Sequence, residues 1–198
     1  MKTYPKAPRP VYQPHKRAAE NSTVEGYTPP QIVQACGGPE GFDLDPCTPG
    51  HGRLPCRTAR KCLTPVEDGL ATPWNPADFV WLNPPYGRDI GKWMAKLANH
   101  PGGGVALVPA NTDPRWAHEF VLRHPGATAV LFVQGRIRFL DEQGVAGKPA
   151  SFGSMFVAYG ERAARNVETM MAKGVVSGRY LRLCHPATFS GAAAGNDA

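Results

Sequence analysis

Phe79-Val80-Trp81-Leu82-Asn83-Pro84-Pro85-Tyr86 is the stretch on which the fold turns. Its first four residues are apolar without alternation, the pattern of a strand in a parallel sheet whose two faces are both covered by helices. Asn83 then interrupts the run, and two prolines end it by removing backbone donors and fixing φ. In an open parallel sheet, ligands bind beyond the carboxyl ends of the strands. Residues 83–86 therefore stand where chemistry is expected.

Downstream, Asp89 is positioned to cap a helix in which Ile90, Trp93, Met94 and Leu97 recur at i, i+3, i+4 and i+7, before Pro101-Gly102-Gly103-Gly104 stops it. VALVPA at 105–110 reads as the next strand. Asp113-Pro114 then opens a helix with Trp116, Phe120 and Val121 inward, closed by His124-Pro125-Gly126. AVLFV at 129–133 is another buried strand, RIRFL at 136–140 and SFGSMFVAY at 151–159 read as an antiparallel pair around a glycine-containing loop, and a last helix covers residues 161–173. Upstream, Thr28 is placed to cap a short helix over Pro30 to Cys36, and FDLD at 42–45 is a brief strand ending on Pro46. Residues 47–64, rich in Pro, Gly and Arg, read as a long loop or broken helix. The alternation predicts an α/β domain: a mainly parallel sheet with an antiparallel C-terminal strand pair.

The chain of 198 residues has room for one domain, and its net charge of +6 suits a polyanionic partner. Five of the positive charges, Lys2, Lys6, Arg9, Lys16 and Arg17, precede the first acid, Glu20. The expected layout is a basic, Pro-rich disordered arm over 1–25, a globular domain over 26–185 and a disordered tail over 186–198. No apolar run approaches the roughly 18 residues of a membrane helix, and the N-terminus lacks a signal-peptide core, so a cytoplasmic location is expected. There the five cysteines read as thiols. Cys47, His51, Cys56 and Cys62 suggest a tetrahedral zinc site, but they lack a paired C-x₂₋₄-C knuckle, and no metal is assigned.

Asn83 offers a side-chain oxygen, and the backbone carbonyl near Pro84 is rigidly aimed by the two prolines. Two converging acceptors suit a planar amine. Its lone pair is delocalised until both N–H protons are accepted and the nitrogen pyramidalises, so the site acts by position and electrostatics without a strong base. Tyr86 offers a flat face for a stacked base, worth roughly 1–3 kcal/mol in single-strand binders.

Asn83-Pro84-Pro85-Tyr86 resembles the hallmark of the amino-methyltransferase superfamily, Asn/Asp/Ser-Pro-Pro followed by an aromatic residue. Tyr27-Thr28-Pro29-Pro30 is similar to the Thr-Pro element that precedes the cofactor strand in adenine methyltransferases. Phe42-Asp43-Leu44-Asp45-Pro46-Cys47 resembles that strand, and Glu67-Asp68-Gly69-Leu70 the acidic turn that meets the cofactor adenine. With Gly-Arg-Ile-Arg-Phe at 135–139 and Ser-Phe-Gly-Ser-Met-Phe at 151–156, residues 27 to 160 look most like the small phage-type, Dam-like DNA adenine-N6 methyltransferases. The resemblance implies a shortened Rossmann-like class I sheet, S-adenosyl-L-methionine as cofactor, and double-stranded DNA as partner with its target base flipped out, in a bacterial or phage-infected cell.

It assigns catalysis to Asn83, Pro84, Pro85 and Tyr86, and cofactor binding to Tyr27, Thr28, Pro29, Asp45, Pro46, Cys47, Asp68 and Gly69. Arg88, Arg136 and Arg138, expected at the same sheet edge, are the candidate phosphate contacts, with pairing to Asp89 or Asp141 as the alternative. Gly50 and Gly52 follow Asp45, but the chain departs from the family in leaving too few residues between Asp45 and Asp68 for a full second βα unit, so no acid for the cofactor ribose is identified. The motif also occurs in methyltransferases acting on other planar nitrogens: protein glutamine, RNA guanine or adenine, and DNA cytosine. A non-catalytic DNA-binding module is the other alternative.

Overall fold

The computed structural model describes residues 26–49, 57–141 and 143–184; the basic arm and the C-terminal tail expected from the sequence lie outside them. The elements are α1 (Pro30–Ala35), a 3-10 turn at Pro39–Gly41, β1 (Leu44–Asp45), β2 (Lys61–Cys62), β3 (Val80–Leu82), α2 (Ile90–Ala98), β4 (Gly104–Pro109), α3 (Arg115–Ala117) running into a π turn at His118–Leu122, β5 (Ala127–Val133), β6 (Ser154–Tyr159), α4 (Glu161–Ala172) and β7 (Gly178–Arg182). They form a mixed α/β fold around one seven-stranded sheet of order β2-β1-β3-β4-β6-β5-β7. β2, β1, β3 and β4 run parallel. β6 is antiparallel to both β4 and β5, and β7 is antiparallel to β5.

The unbroken apolar strands are explained by burial on both faces. Trp81, Leu107, Leu131 and Phe156 point to the side covered by α1 and α4, where Ile32, Val33, Ala163, Val167 and Met170 meet them. Val80, Leu82, Ala106, Val108 and Val157 point to the other side, against Ile90, Trp93, Met94 and Leu97 of α2 and Val121. The predicted stripe of α2 is thus its buried face. Of the inward trio expected next, Val121 is buried, while Trp116 and Phe120 are half-buried against the same cluster.

Several expectations need correction. RIRFL at 136–140 is not a strand: its only ladder contacts are single bridges from Leu140 to Tyr27 and to Ala146. β6 already has β4 on one side and β5 on the other, so no edge is left for residues 136–140 to join. The antiparallel partner that the sequence reading missed is β7. Residues 47–64 also hold a second strand, because Lys61 and Cys62 pair in parallel with Leu44 and Asp45. Capping differs as well. Pro29 and Pro114 occupy the N-cap positions of α1 and α3, and Asp89, although at the N-cap of α2, makes no side-chain cap bond. Its carboxylate holds Lys92 at 2.8 Å instead.

Candidate active site

Strand alternation assembles the site. Leu44 pairs with Val80, so Asp45 lies beside Trp81, and Asn83 follows two residues later on the same face of β3. A cleft at these carboxyl ends is lined by Tyr27, Thr28, Asp45, Cys47, Thr58, Trp81 and Asn83 among others. The structure therefore gathers residues from three separate predicted motifs. Its innermost space is about 20 Å³, room for one water.

Asn83 is fixed by both ends of its amide. Nδ2 donates to Gly26 O at 3.3 Å and to Thr28 Oγ1 at 3.2 Å, while Oδ1 accepts from the Tyr86 hydroxyl at 2.8 Å. That hydroxyl also lies 3.2 Å from Leu107 O. Pro84 is buried and Pro85 exposed. The Tyr86 ring meets Phe152 and Phe139 edge-on, at centroid distances of 5.1 and 6.3 Å. Burial, with Cys47 nearby, raises the Tyr86 pKa, so the phenol remains a donor at neutral pH.

Asp45 is 4% exposed. Its Oδ1 accepts from Cys47 N at 3.1 Å and its Oδ2 from the Thr58 hydroxyl. Burial pushes the carboxyl above its ordinary value, and these donors oppose the shift. Cys47 Sγ lies 3.8 Å from Asp45 Oδ1. Burial and then the Asp45 charge hold its thiol well above the usual range and favour the protonated form, opposed by the main-chain N–H of Asn83. Trp81 Nε1, buried and lining the cleft, has no hydrogen-bond partner among the described residues. A buried carboxylate beside an unpartnered indole donor suits a polar ligand with both donors and acceptors.

A family model for DNA N-6-adenine-methyltransferase (Dam) matches residues 21–175, well over half of the chain. The protein belongs to the Dam family. The activity of that family is methylation of the adenine N6 amine, with DNA as substrate. No curated protein and no solved structure matches the chain.

The other residues assigned from sequence fall around this Dam-family cleft in different ways. Pro29 is buried at the start of α1 and Pro46 at the end of β1. Asp68 is exposed with φ +47°, and its Oδ1 accepts from Leu70 N and Ala71 N at 3.1 and 3.3 Å, so the carboxylate shapes its own turn. Gly69 packs on Pro46, leaving no space for a side chain: a Cβ there would sit 1.8 Å from Pro46 O. Neither residue lines the cleft.

Arg88, Arg136 and Arg138 are all exposed. The acids considered as their partners are engaged elsewhere, Asp89 with Lys92 and Asp141 with the N–H groups of Gln143 and Val145. Arg138 reaches Gly147 O at 3.4 Å. Of the suggested zinc ligands, Cys47 and Cys62 stand on either side of Thr58 and Asp45, while His51 and Cys56 lie outside the described residues. No described helix is long and apolar enough to cross a membrane.

Sequence reading missed Thr58, Trp81 as a polar group, and the two phenylalanines around Tyr86. Thr58 sits in Arg-Thr-Ala-Arg with no local pattern to mark it. Trp81 was legible in principle, since an indole two residues before Asn83 on one strand must share its face.

Proposed function

We propose that the chain transfers a methyl group from S-adenosyl-L-methionine to the N6 amine of adenine in double-stranded DNA, with the base extruded to Asn83-Pro84-Pro85-Tyr86. The observation that carries this reading is the fixed amide of Asn83. Because Nδ2 is committed to Gly26 and Thr28, Oδ1 is the atom presented on the other side, and a carbonyl-type oxygen has two lone pairs of which Tyr86 uses one. That oxygen and the Pro84 carbonyl accept the two amine protons. Rehybridisation then localises the nitrogen lone pair; the N–C bond forms first, and the cationic nitrogen afterwards releases one of its two protons to solvent water to give the neutral methylamine.

The chemistry that S-adenosyl-L-methionine would supply when bound is an electrophilic sulfonium methyl, with the C–S electron pair retained by S-adenosylhomocysteine as leaving group. Asp45, Trp81 and the Tyr27–Thr28 segment are the residues that would hold it, and their chemistry fits: an acceptor carboxylate, an available N–H donor and an aromatic wall. The strand order, with β6 reversed between β4 and β5, supports a Rossmann-like class I reading. Arg88, Arg136 and Arg138 would contact phosphates at the same edge.

Radiolabelled methyl transfer to duplex DNA, followed by nuclease digestion and nucleoside analysis, tests the proposal. Label in N6-methyl-2′-deoxyadenosine from the DNA is expected. Label in protein, RNA or cytosine, or none at all, would overturn it.

A further inference from the structure

Lysine ammonium groups usually bond mainly to water, whereas that of the half-buried Lys96 of α2 is engaged by the protein itself. Its Nζ donates to three main-chain carbonyls, Gly69 O at 2.9 Å, Leu70 O at 2.8 Å and Thr72 O at 2.7 Å. All three ammonium protons are thereby used. The nitrogen also stands 4.7 Å from the centre of the Trp74 ring, whose own Nε1 donates to Gly69 O at 2.9 Å. The converging carbonyls resemble the open end of a helical turn, where a cation is favoured. Desolvation lowers the Lys96 pKa and Asp68 opposes the shift, as expected for a charge drawn in from solvent.

What Lys96 grips matters because of where each end is attached. The 68–72 turn rests on β1 through Gly69, which approaches Pro46 O too closely for any larger residue, and Pro46 directly follows Asp45. α2 begins four residues after Tyr86, and Lys96 lies two turns into it. One ammonium thus braces the end of β1, with Asp45 and Cys47, against the helix that continues from Asn83-Pro84-Pro85-Tyr86.

We propose that Lys96 is a positioning residue of the methyl-transfer site, bracing the 68–72 turn and the end of β1 against α2 so that the cofactor side of the cleft keeps its shape. This rests on the functional reading above. The test is calorimetry of the full chain with S-adenosylhomocysteine, well below the thermal transition. Lys96→Met keeps the apolar stem and removes the three donors. Its dissociation constant for S-adenosylhomocysteine is expected to rise about tenfold, with affinity for a duplex oligonucleotide within twofold of wild type and faster amide exchange at residues 69–72. Lys92→Met, on the same helix but exposed and paired with Asp89 alone, is expected to match wild type.

A purely structural brace would lower the melting temperature and leave the affinity of the folded protein unchanged. Folded Lys96→Met with affinity within twofold of wild type therefore overturns the proposal. Should Lys96→Met not fold, the same result in Lys96→Gln, which is too short to reach all three carbonyls, overturns it. If wild type binds no S-adenosylhomocysteine, the functional reading falls and this inference falls with it; if wild type binds and the variants bind equally, this inference falls alone.

Discussion

The two halves of the sheet are built on opposite plans. β4, β5 and β6 are six or seven residues long, and every residue of β4 and β6 is buried, so this half is held by apolar packing and long ladders. β2, β1 and β3 are two or three residues long; β1 ends in Asp45 and β3 is followed by Asn83, and both residues are held by polar contacts to Thr58, Cys47, Thr28, Gly26 and Tyr86. Burial is non-directional and tolerates adjustment, whereas hydrogen bonds fix individual atoms. Both halves contribute to the apolar core, but the polar contacts that fix the site lie in the short-stranded half.

The largest expected effect breaks the polar half. Asn83→Ala removes an acceptor for the reacting amine and the donor to Gly26 and Thr28. Turnover measured by methyl transfer should fall by about 10²–10³-fold, as when a preorganised transition-state contact is lost. Cofactor affinity should fall too, by a few-fold, because the Gly26–Thr28 wall of the cleft is released. The counterpart in the apolar half is Leu131→Ala, a fully buried side chain on β5. It should cost about 2–5 kcal/mol in denaturant unfolding while the protein that remains folded keeps wild-type cofactor affinity. If the two variants had interchangeable effects, the division of labour would be wrong.

The same division explains what the sequence revealed. Long, doubly covered strands announce themselves as unbroken apolar runs, so β3 through β6 were readable from Val80 to Tyr159. A two-residue strand such as Lys61–Cys62 has no periodicity to detect; it exists because Asp45 and its neighbours offer a free edge. β7 was missed for a related reason. Gly178–Arg182 is exposed along most of its length and carries two arginines, which makes it look like a loop until β5 supplies the ladder. RIRFL failed in the opposite sense: its alternation is real, with Ile137 buried between exposed Arg136 and Arg138, but both edges of β6 were already taken. At the site, Asn83 and Asp45 were visible as polar residues closing apolar strands. Thr58 and Lys96 were not, because their partners are distant in sequence and several are main-chain carbonyls that no residue pattern encodes.

A smaller effect sharpens the contrast by separating stability from function at one residue. Burial raises the folded-state pKa of Asp45 above its unfolded value. A carboxyl shifted that way favours folding fully below its ordinary pKa of about 3.9, and the contribution is lost as pH rises through the higher folded value. Above its ordinary pKa, burial of this carboxyl is therefore a cost to folding. Asp45→Asn should raise stability near pH 7 by about 0.5–2 kcal/mol, the usual size of a single stabilising substitution. Melting temperatures measured against pH should converge with wild type on acidification below pH 4, and calorimetry should show weakened binding of S-adenosylhomocysteine. A variant no more stable than wild type at pH 7 would mean that Thr58 and the Cys47 N–H fully compensate the buried charge.

The smallest expected effect concerns the Tyr86 hydroxyl. It donates to the same Asn83 oxygen that is proposed to receive the amine, and it lies against Leu107 O in β4, where the two halves of the sheet meet. Tyr86→Phe keeps the ring and its edge contacts with Phe139 and Phe152 while freeing one lone pair of Asn83 Oδ1. Losing a neutral hydrogen bond costs about 0.5–1.5 kcal/mol, so turnover should change by less than about tenfold and cofactor affinity should not move. Tyr86→Ala, which also removes the stacking face, should lose substantially more. Steady-state kinetics of the pair distinguish ring from hydroxyl. Equal losses in both variants would assign the function of Tyr86 to its hydrogen bond on Asn83 and remove the ring from the account of base binding.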